Sequence, residues 1–213
     1  FSTGITAIND PENVGTAVRL NFGYIPENQF GVTVLWSDAE NSKVVDDVNR
    51  VTAKAKDDGN VLRYAYGDSD AFNNLVKSKQ FKAQFAFNEG FVGAVIPTPT
   101  EEQANKVFKS LWGFTFSEID RVIVTEKDGK SSSRKPWEPG RIVFTSDEKV
   151  GDVVWANLAE KNRIAQIKNA TYQVADDYIL VSKYHTVKPS FAEYTASQAR
   201  VAAIISNVDR IYT

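Results

Sequence analysis

Neither cysteine nor methionine occurs in the chain, and histidine occurs only at position 185. The missing cysteines exclude disulfides, thiolate nucleophiles and cysteine-based metal sites, and they leave the redox compartment undetermined. A lone His185 excludes zinc sites that need two imidazoles on one metal. It is also the single candidate base for a Ser-His-Asp arrangement, but Lys183-Tyr184-His185-Thr186 ends a strand-like run without a nucleophile elbow, so His185 reads as a bystander. No GxGxxG and no GxxxxGKS/T is present, which removes the phosphate-cradling loops of nucleotide enzymes. The longest apolar runs, such as residues 92–96 and 201–205, fall far short of the roughly 18 residues a bilayer crossing needs. No charged segment leading into an apolar one opens the sequence, so a signal peptide is expected to be absent or removed. A start at Phe1 without any methionine suggests an excerpt of a longer protein.

What is present describes a chain that folds. Hydrophobic residues make up 42% and aromatic residues 12% of the 213 positions, which argues against disorder. That length lies between one large domain and two small ones. The 25 basic and 27 acidic residues leave a net charge of −2 and are spread along the chain, without the clustered basic excess of a nucleic-acid footprint. Adjacent carboxylates occur at Asp46-Asp47, Asp57-Asp58, Glu101-Glu102 and Asp176-Asp177. Glycosidases use paired carboxylates, but neighbours in sequence point in different directions, so each pair reads as a helix-face, first-turn or turn feature. Asp176-Asp177 lacks the spaced acids of an EF-hand calcium loop.

Alternation over residues 14–24 predicts a half-buried strand, and the β-branched run 31–36 predicts a second that pairs with it as a hairpin. Valines at 44, 45, 48 and 51 with Ala55 predict an amphipathic helix over 43–58, capped by Ser42, stopped by Gly59 and packed on a sheet containing 31–36. Residues 61–66 read as a strand, and Asp68-Ser69-Asp70 as the cap of a helix carrying Phe72 and Leu75. The apolar, glycine-bearing stretch 85–96 reads as a strand or close-packed loop, ended by Pro97 and Pro99. Thr100 with Gln103 forms a capping box for a helix ending at Gly113. Strands are predicted over 119–125, 141–144, 150–158 and 178–184, a short helix over 190–199 and a closing strand at 208–212. Lys127, Lys130, Ser131-Ser132-Ser133, Arg134 and Lys135 make a basic hairpin tip, and the sharper reading is a contact with a neighbouring subunit or packaged DNA.

Three stretches carry a family resemblance: VTVLWSDAENSKVVDDVNRVTAKAKDDGN, LRYAYGDSDAFNNLVKSKQF, and the run from FSEIDRVIVTEKDG through KPWEPGRIVFTSDEKVGDVVWANLAEK to DDYILVSKYHTVKPSFAEYTASQARVAAIISNVDRIYT. In that order, nearly the whole chain resembles the major capsid protein of tailed bacteriophages, the HK97-type fold in its lambda-E-like branch. The resemblance implies an α+β fold. Residues 1–66 would hold a remnant of an extended loop plus the strands and spine helix of a peripheral domain. Residues 67–185 would form an axial domain, a mixed sheet with flanking helices, and 186–213 would return to the peripheral domain. The family's N-terminal arm and most of its extended loop are not matched.

The resemblance further implies a structural protein without catalytic, cofactor or metal site. Its partners would be copies of itself in pentamers and hexamers of an icosahedral shell, with scaffolding, portal and decoration proteins, non-specific contact with packaged double-stranded DNA, and no membrane. It would be assembled in the bacterial host cytoplasm and reside in the virion capsid. Aromatic and arginine anchors are expected at such contacts, with Trp112, Trp137 and Trp155 as candidates. The competing readings are a tail-tube or other ring-forming virion component, a carboxylate-based hydrolase, and a secreted adhesin. The predicted helices argue against the first, and the others lack a positioned carboxylate pair or a repeat.

Overall fold

The strands β1 (Ile5–Ile8) and β2 (Val18–Asn21) pair antiparallel, with Ile5 opposite Asn21 and Thr6 opposite Leu20. The computed structural model describes residues 1–8, 18–91, 95–127, 129–161, 170–186 and 191–213, so residues 14–17 of the predicted first strand lie outside the described residues. Residues 31–36 are not a strand, and the predicted hairpin does not form. This segment is held instead by distant partners: the Phe30 N–H bonds the Thr213 carbonyl at 2.6 Å, and the Trp36 indole N–H donates to Asp47 at 3.0 Å.

Residues three and four apart share one helix face, which buries Val44, Val48, Val51 and Ala55 of α1 (Val44–Asp57). Ser42 is not its cap: Lys43 is the N-cap and makes no side-chain bond. The Gln80 side chain accepts from the Val45 N–H at 3.0 Å instead, a cap supplied from 35 residues away. Gly59, at φ +78°, takes the left-handed turn beyond the helix end.

After β3 (Tyr64–Gly67) come α2 (Ser69–Lys77), α3 (Lys79–Asn88) and α4 (Glu101–Leu111). Asp68 caps α2 through the Ala71 N–H at 2.9 Å, and Thr100 with Gln103 closes the predicted capping box on α4. The helix α3 corrects the strand-like reading of 85–96, of which residues 92–94 lie outside the described residues. Phe81 and Phe85, four apart, point the same way into the core. Then β4 (Thr115–Glu118) pairs parallel with β3. Parallel neighbours cannot be joined by a tight turn, and α2 to α4 form the crossover.

The next elements are β5 (Ile123–Lys127) and β6 (Lys130–Arg134), paired as a hairpin whose Asp128 lies outside the described residues. They are followed by β7 (Ile142–Thr145), antiparallel to β3. Beyond it lie β8 (Gly151–Ala156), β9 (Ala170–Ala175), β10 (Ile179–Thr186) and β11 (Ala192–Ile205), which form one antiparallel sheet in the order β8-β11-β10-β9. The helix expected over 190–199 is therefore strand from Ala192 onward, with residue 190 outside the described residues. Pairing of residues 192–199 with β10, and of residues 200–205 with β8, overrides the helix propensity of its alanines. Finally β12 (Ile211–Tyr212) pairs antiparallel with β7.

Two compact units result, Phe1–Val150 with Asn207–Thr213 and, separately, Gly151–Ser206. The core of the first lies between α1 to α4 and the mixed sheet β12-β7-β3-β4. Its centre is aromatic, with Phe81 and Phe108 at 5.0 Å, Phe72 and Phe116 at 5.3 Å, and Phe114 and Phe144 at 5.4 Å in tilted or edge-on contacts. This sheet takes strands from all three of the stretches 1–66, 67–185 and 186–213, and the closing strand pairs with the middle one rather than with the early strands.

Candidate assembly surfaces

Asp46 accepts from Gln80 and Asp47 from Trp36, both on α1, while Glu102 pairs with Lys106 one turn on. Asp58 accepts from Lys54 and, at 2.8 Å, from the Tyr212 hydroxyl, and these bonds hold its carboxyl below the usual carboxylate range. Asn60 donates to the same hydroxyl at 2.9 Å, so the end of α1 is tied to the last strand. Asp176 and Asp177 sit at φ 47° and 61° in the tight turn between β9 and β10, a conformation aspartate tolerates. His185 is exposed on β10, its ring 5.9 Å from Phe191 and its strand position opposite Glu193, which pairs with Lys183. Among the described residues no three His, Cys, Asp or Glu side chains converge on a metal position, and no helix is long and apolar enough to cross a membrane.

Both edges of the mixed sheet are blocked. At the β12 edge, the backbone of Asn28 and Phe30 bonds Thr213, at 2.9 and 2.6 Å. At the β4 edge, the Asn105 side chain on α4 accepts from the Phe116 N–H at 2.7 Å and donates to the Phe116 carbonyl at 3.1 Å. Such blocking removes the unpaired backbone row that would otherwise recruit another strand.

Three apolar surfaces stay open. In the first unit, α1, α2, residues 29–37 and residues 139–144 enclose a cleft of about 680 Å³, with Val32 and Leu35 exposed along it. Arg50 lines this cleft, donating to the Gly31 carbonyl at 2.6 Å and lying over the Phe30 ring. The β5–β6 hairpin exposes Ile123 and Val124, with Val122 just before it, and Val124 lies opposite Ser133. An isolated two-stranded hairpin is marginal in water, so this one gains stability from whatever it packs against. In the second unit the register places Tyr172, Val174, Tyr184, Tyr194, Val154 and Ile204 on one sheet face, together with the buried Leu180. Tyr184 and Tyr194 lie directly opposite and stack at 5.2 Å.

Of the three tryptophans singled out by sequence, two are structural. Trp137 is 7% exposed and donates to the Arg141 carbonyl, and Trp112 stacks on Phe114 at 5.5 Å while donating to Asn49. Trp155 is 44% exposed on β8 and stacks on Tyr178. A helix over 190–199 would not set Tyr194 against Tyr184; only the strand register of β10 and β11 does so.

No individually curated protein matches the chain. The structure is similar to the crystal structure of a protein assigned as a prophage capsid protein from Escherichia coli CFT073, with a TM-score of 0.61 and 13% identity, over 99% of this chain and 58% of that one. At that identity the likeness speaks for the fold, a mixed α+β architecture, and the chain spans 58% of the length of its neighbour. The family model described as phage major capsid protein E matches residues 5–178, running from β1 through the mixed sheet into the second unit, and on that match the chain belongs to this capsid protein family.

Proposed function

We propose that the chain is a structural capsid subunit of HK97 type, which self-assembles into the icosahedral head of a tailed phage or prophage around double-stranded DNA. The observation that carries this reading is the capsid family match across residues 5–178, joined to a fold similar to that of a prophage capsid protein. Its physical support is the open apolar surface described above. Many equivalent contacts close such shells, and each subunit needs complementary patches rather than a reactive centre. The tail-tube and hydrolase readings are not favoured: four helices crowd the mixed sheet, and the carboxylate pairs are committed to helix ends, turns and tryptophan or tyrosine partners.

The mixed sheet with its flanking helices corresponds to the axial domain of the HK97 type. That role extends from 67–185 to the strands β3 and β12 of the same sheet, while α1 remains the candidate spine helix of a peripheral part. The β5–β6 hairpin, with Lys130, Arg134 and Lys135, lies at a subunit boundary or a shell surface touching DNA without sequence preference. Copies of the chain in pentamers and hexamers are the principal partners, with scaffolding, portal and decoration proteins beside them, in a particle built in the host cytoplasm. Sedimentation velocity on the full-length gene product, expressed with its neighbouring scaffold gene, tests this reading. Pentamers, hexamers or shell-sized species are expected, and a monomer persisting at high concentration would count against it.

A further inference from the structure

We propose that β8 is a self-pairing edge. Two copies of the chain join their β8 strands antiparallel about a twofold axis perpendicular to the sheet, fusing two four-stranded sheets into one of eight. The inference deepens the capsid reading and rests on it, because it names one of the contacts between copies.

Its starting point is a contrast between the two sheets. Both edges of the mixed sheet are blocked, one by residues 28–30 and the other by Asn105. On the second sheet, β8 is an edge strand, and among the described residues no strand pairs with its outer side. Natural edges are usually guarded by lysine, proline, a bulge or an overlying segment. Within Gly151–Ala156 there is no lysine, arginine or proline, and the register with β11 runs without a bulge. The strand exposes Val153 at 58%, Val154 at 41% and Trp155 at 44%. At the opposite edge β9 exposes a single large aliphatic side chain, Val174, at 36%.

The sequence of β8 fits a second copy of itself. A twofold axis perpendicular to a sheet keeps each face on its own side, so opposed residues must share a face. Centring the axis on Val154 meets that condition: Val154 faces Val154, Val153 faces Trp155 twice over, and Asp152 faces Ala156. Each Val153–Trp155 contact sets a β-branched side chain against an aromatic, a favourable cross-strand pair, and no like charges are opposed. Centring on Val153 would set Trp155 against Gly151 and lose both pairs. Two extended faces continue across such a seam, so the tyrosine-lined faces of the two copies become one surface.

The absence of cysteine makes the test direct, since Val154→Cys carries the only thiol in the chain. Directly opposed residues of an antiparallel pair have Cα atoms about 4.5–5.5 Å apart, inside the range a disulfide spans. The full chain is assembled, oxidised mildly and run on a non-reducing gel, with Val174→Cys on β9 as the comparison and Val154→Lys as a blocking variant. Expected are covalent dimers for most Val154→Cys chains, few for Val174→Cys, and at least a tenfold weaker association for Val154→Lys with an unchanged circular dichroism spectrum. Association without cross-linking at position 154 overturns the inference and leaves the capsid reading standing. Cross-links that form equally at 174, or only between 154 and 174 in mixed samples, also overturn it. Cross-linked dimers that never build larger particles would instead sink the capsid reading and keep the β8 pairing. A chain that stays monomeric and uncross-linked overturns both.

Discussion

Replacing Asn105 by alanine removes both hydrogen bonds that cover the β4 edge, at 2.7 and 3.1 Å to the two backbone groups of Phe116. In the parallel ladder the N–H groups of Thr115 and Ile119 are directed at the β3 side, so by strand alternation the backbone groups of Phe116 face outward toward Asn105. Two net hydrogen bonds at about 1 kcal/mol each, on half-buried groups that water reaches poorly, amount to about 2 kcal/mol. Alanine's better helix propensity within α4 returns roughly 0.5 kcal/mol. A net loss of about 1.5 kcal/mol, divided by a urea slope of about 2 kcal/mol/M, lowers the unfolding midpoint by roughly 0.75 M. Tryptophan fluorescence reads this unit well, since Trp36, Trp112 and Trp137 all belong to it. Amide exchange should lose protection at Phe116 before it does so at Ala65 on the central strand. An unchanged midpoint together with an unchanged Phe116 exchange rate would refute the argument that Asn105 seals this edge.

Val48→Asp places a charge at a position 1% exposed in the core and should cost more than about 3 kcal/mol, seen as a collapse of the thermal midpoint. Gly151→Ala brings a Cβ to 2.1 Å from the Ile204 carbonyl, which must push β8 from β11 at a cost of about 1–3 kcal/mol. Trp155, the one tryptophan of the second unit, should report that loss while the first unit melts as before. For Asp58→Asn the outcome depends on pH: the folded carboxyl is held low by Lys54 and Tyr212, so its contribution is complete above the unfolded value near 3.9. Urea midpoints of parent and variant should therefore differ by a constant amount from about pH 5 to 7 and converge as pH falls below about 4.

Local chemistry was the legible part of the fold. Asp68 and the Thr100–Gln103 box announced α2 and α4 because a cap is satisfied within three residues of itself. Gly59 and Gly113 marked helix ends because both take positive φ there. The misreadings share one cause, a partner far along the chain. Ser42 looked like the cap of α1, but Gln80 from α3 fills that role. Residues 31–36 had strand composition and no strand to pair with, since Asn28 and Phe30 already bond Thr213 at the other end of the sequence. The alanines of β11 up to residue 199 favour a helix until β10 is in place beside them. Family membership was visible in the order of elements. The surfaces were less so, because blocked and open edges, and the tyrosine stack, exist only once the register is set.

Electron microscopy of the full-length gene product, produced with its scaffold, tests the capsid reading most directly. Closed icosahedral shells with pentameric and hexameric clusters, into which the mixed sheet and the β8–β11–β10–β9 sheet fit as built, are the predicted result. Stacked rings, or dispersed monomers at high concentration, would contradict it.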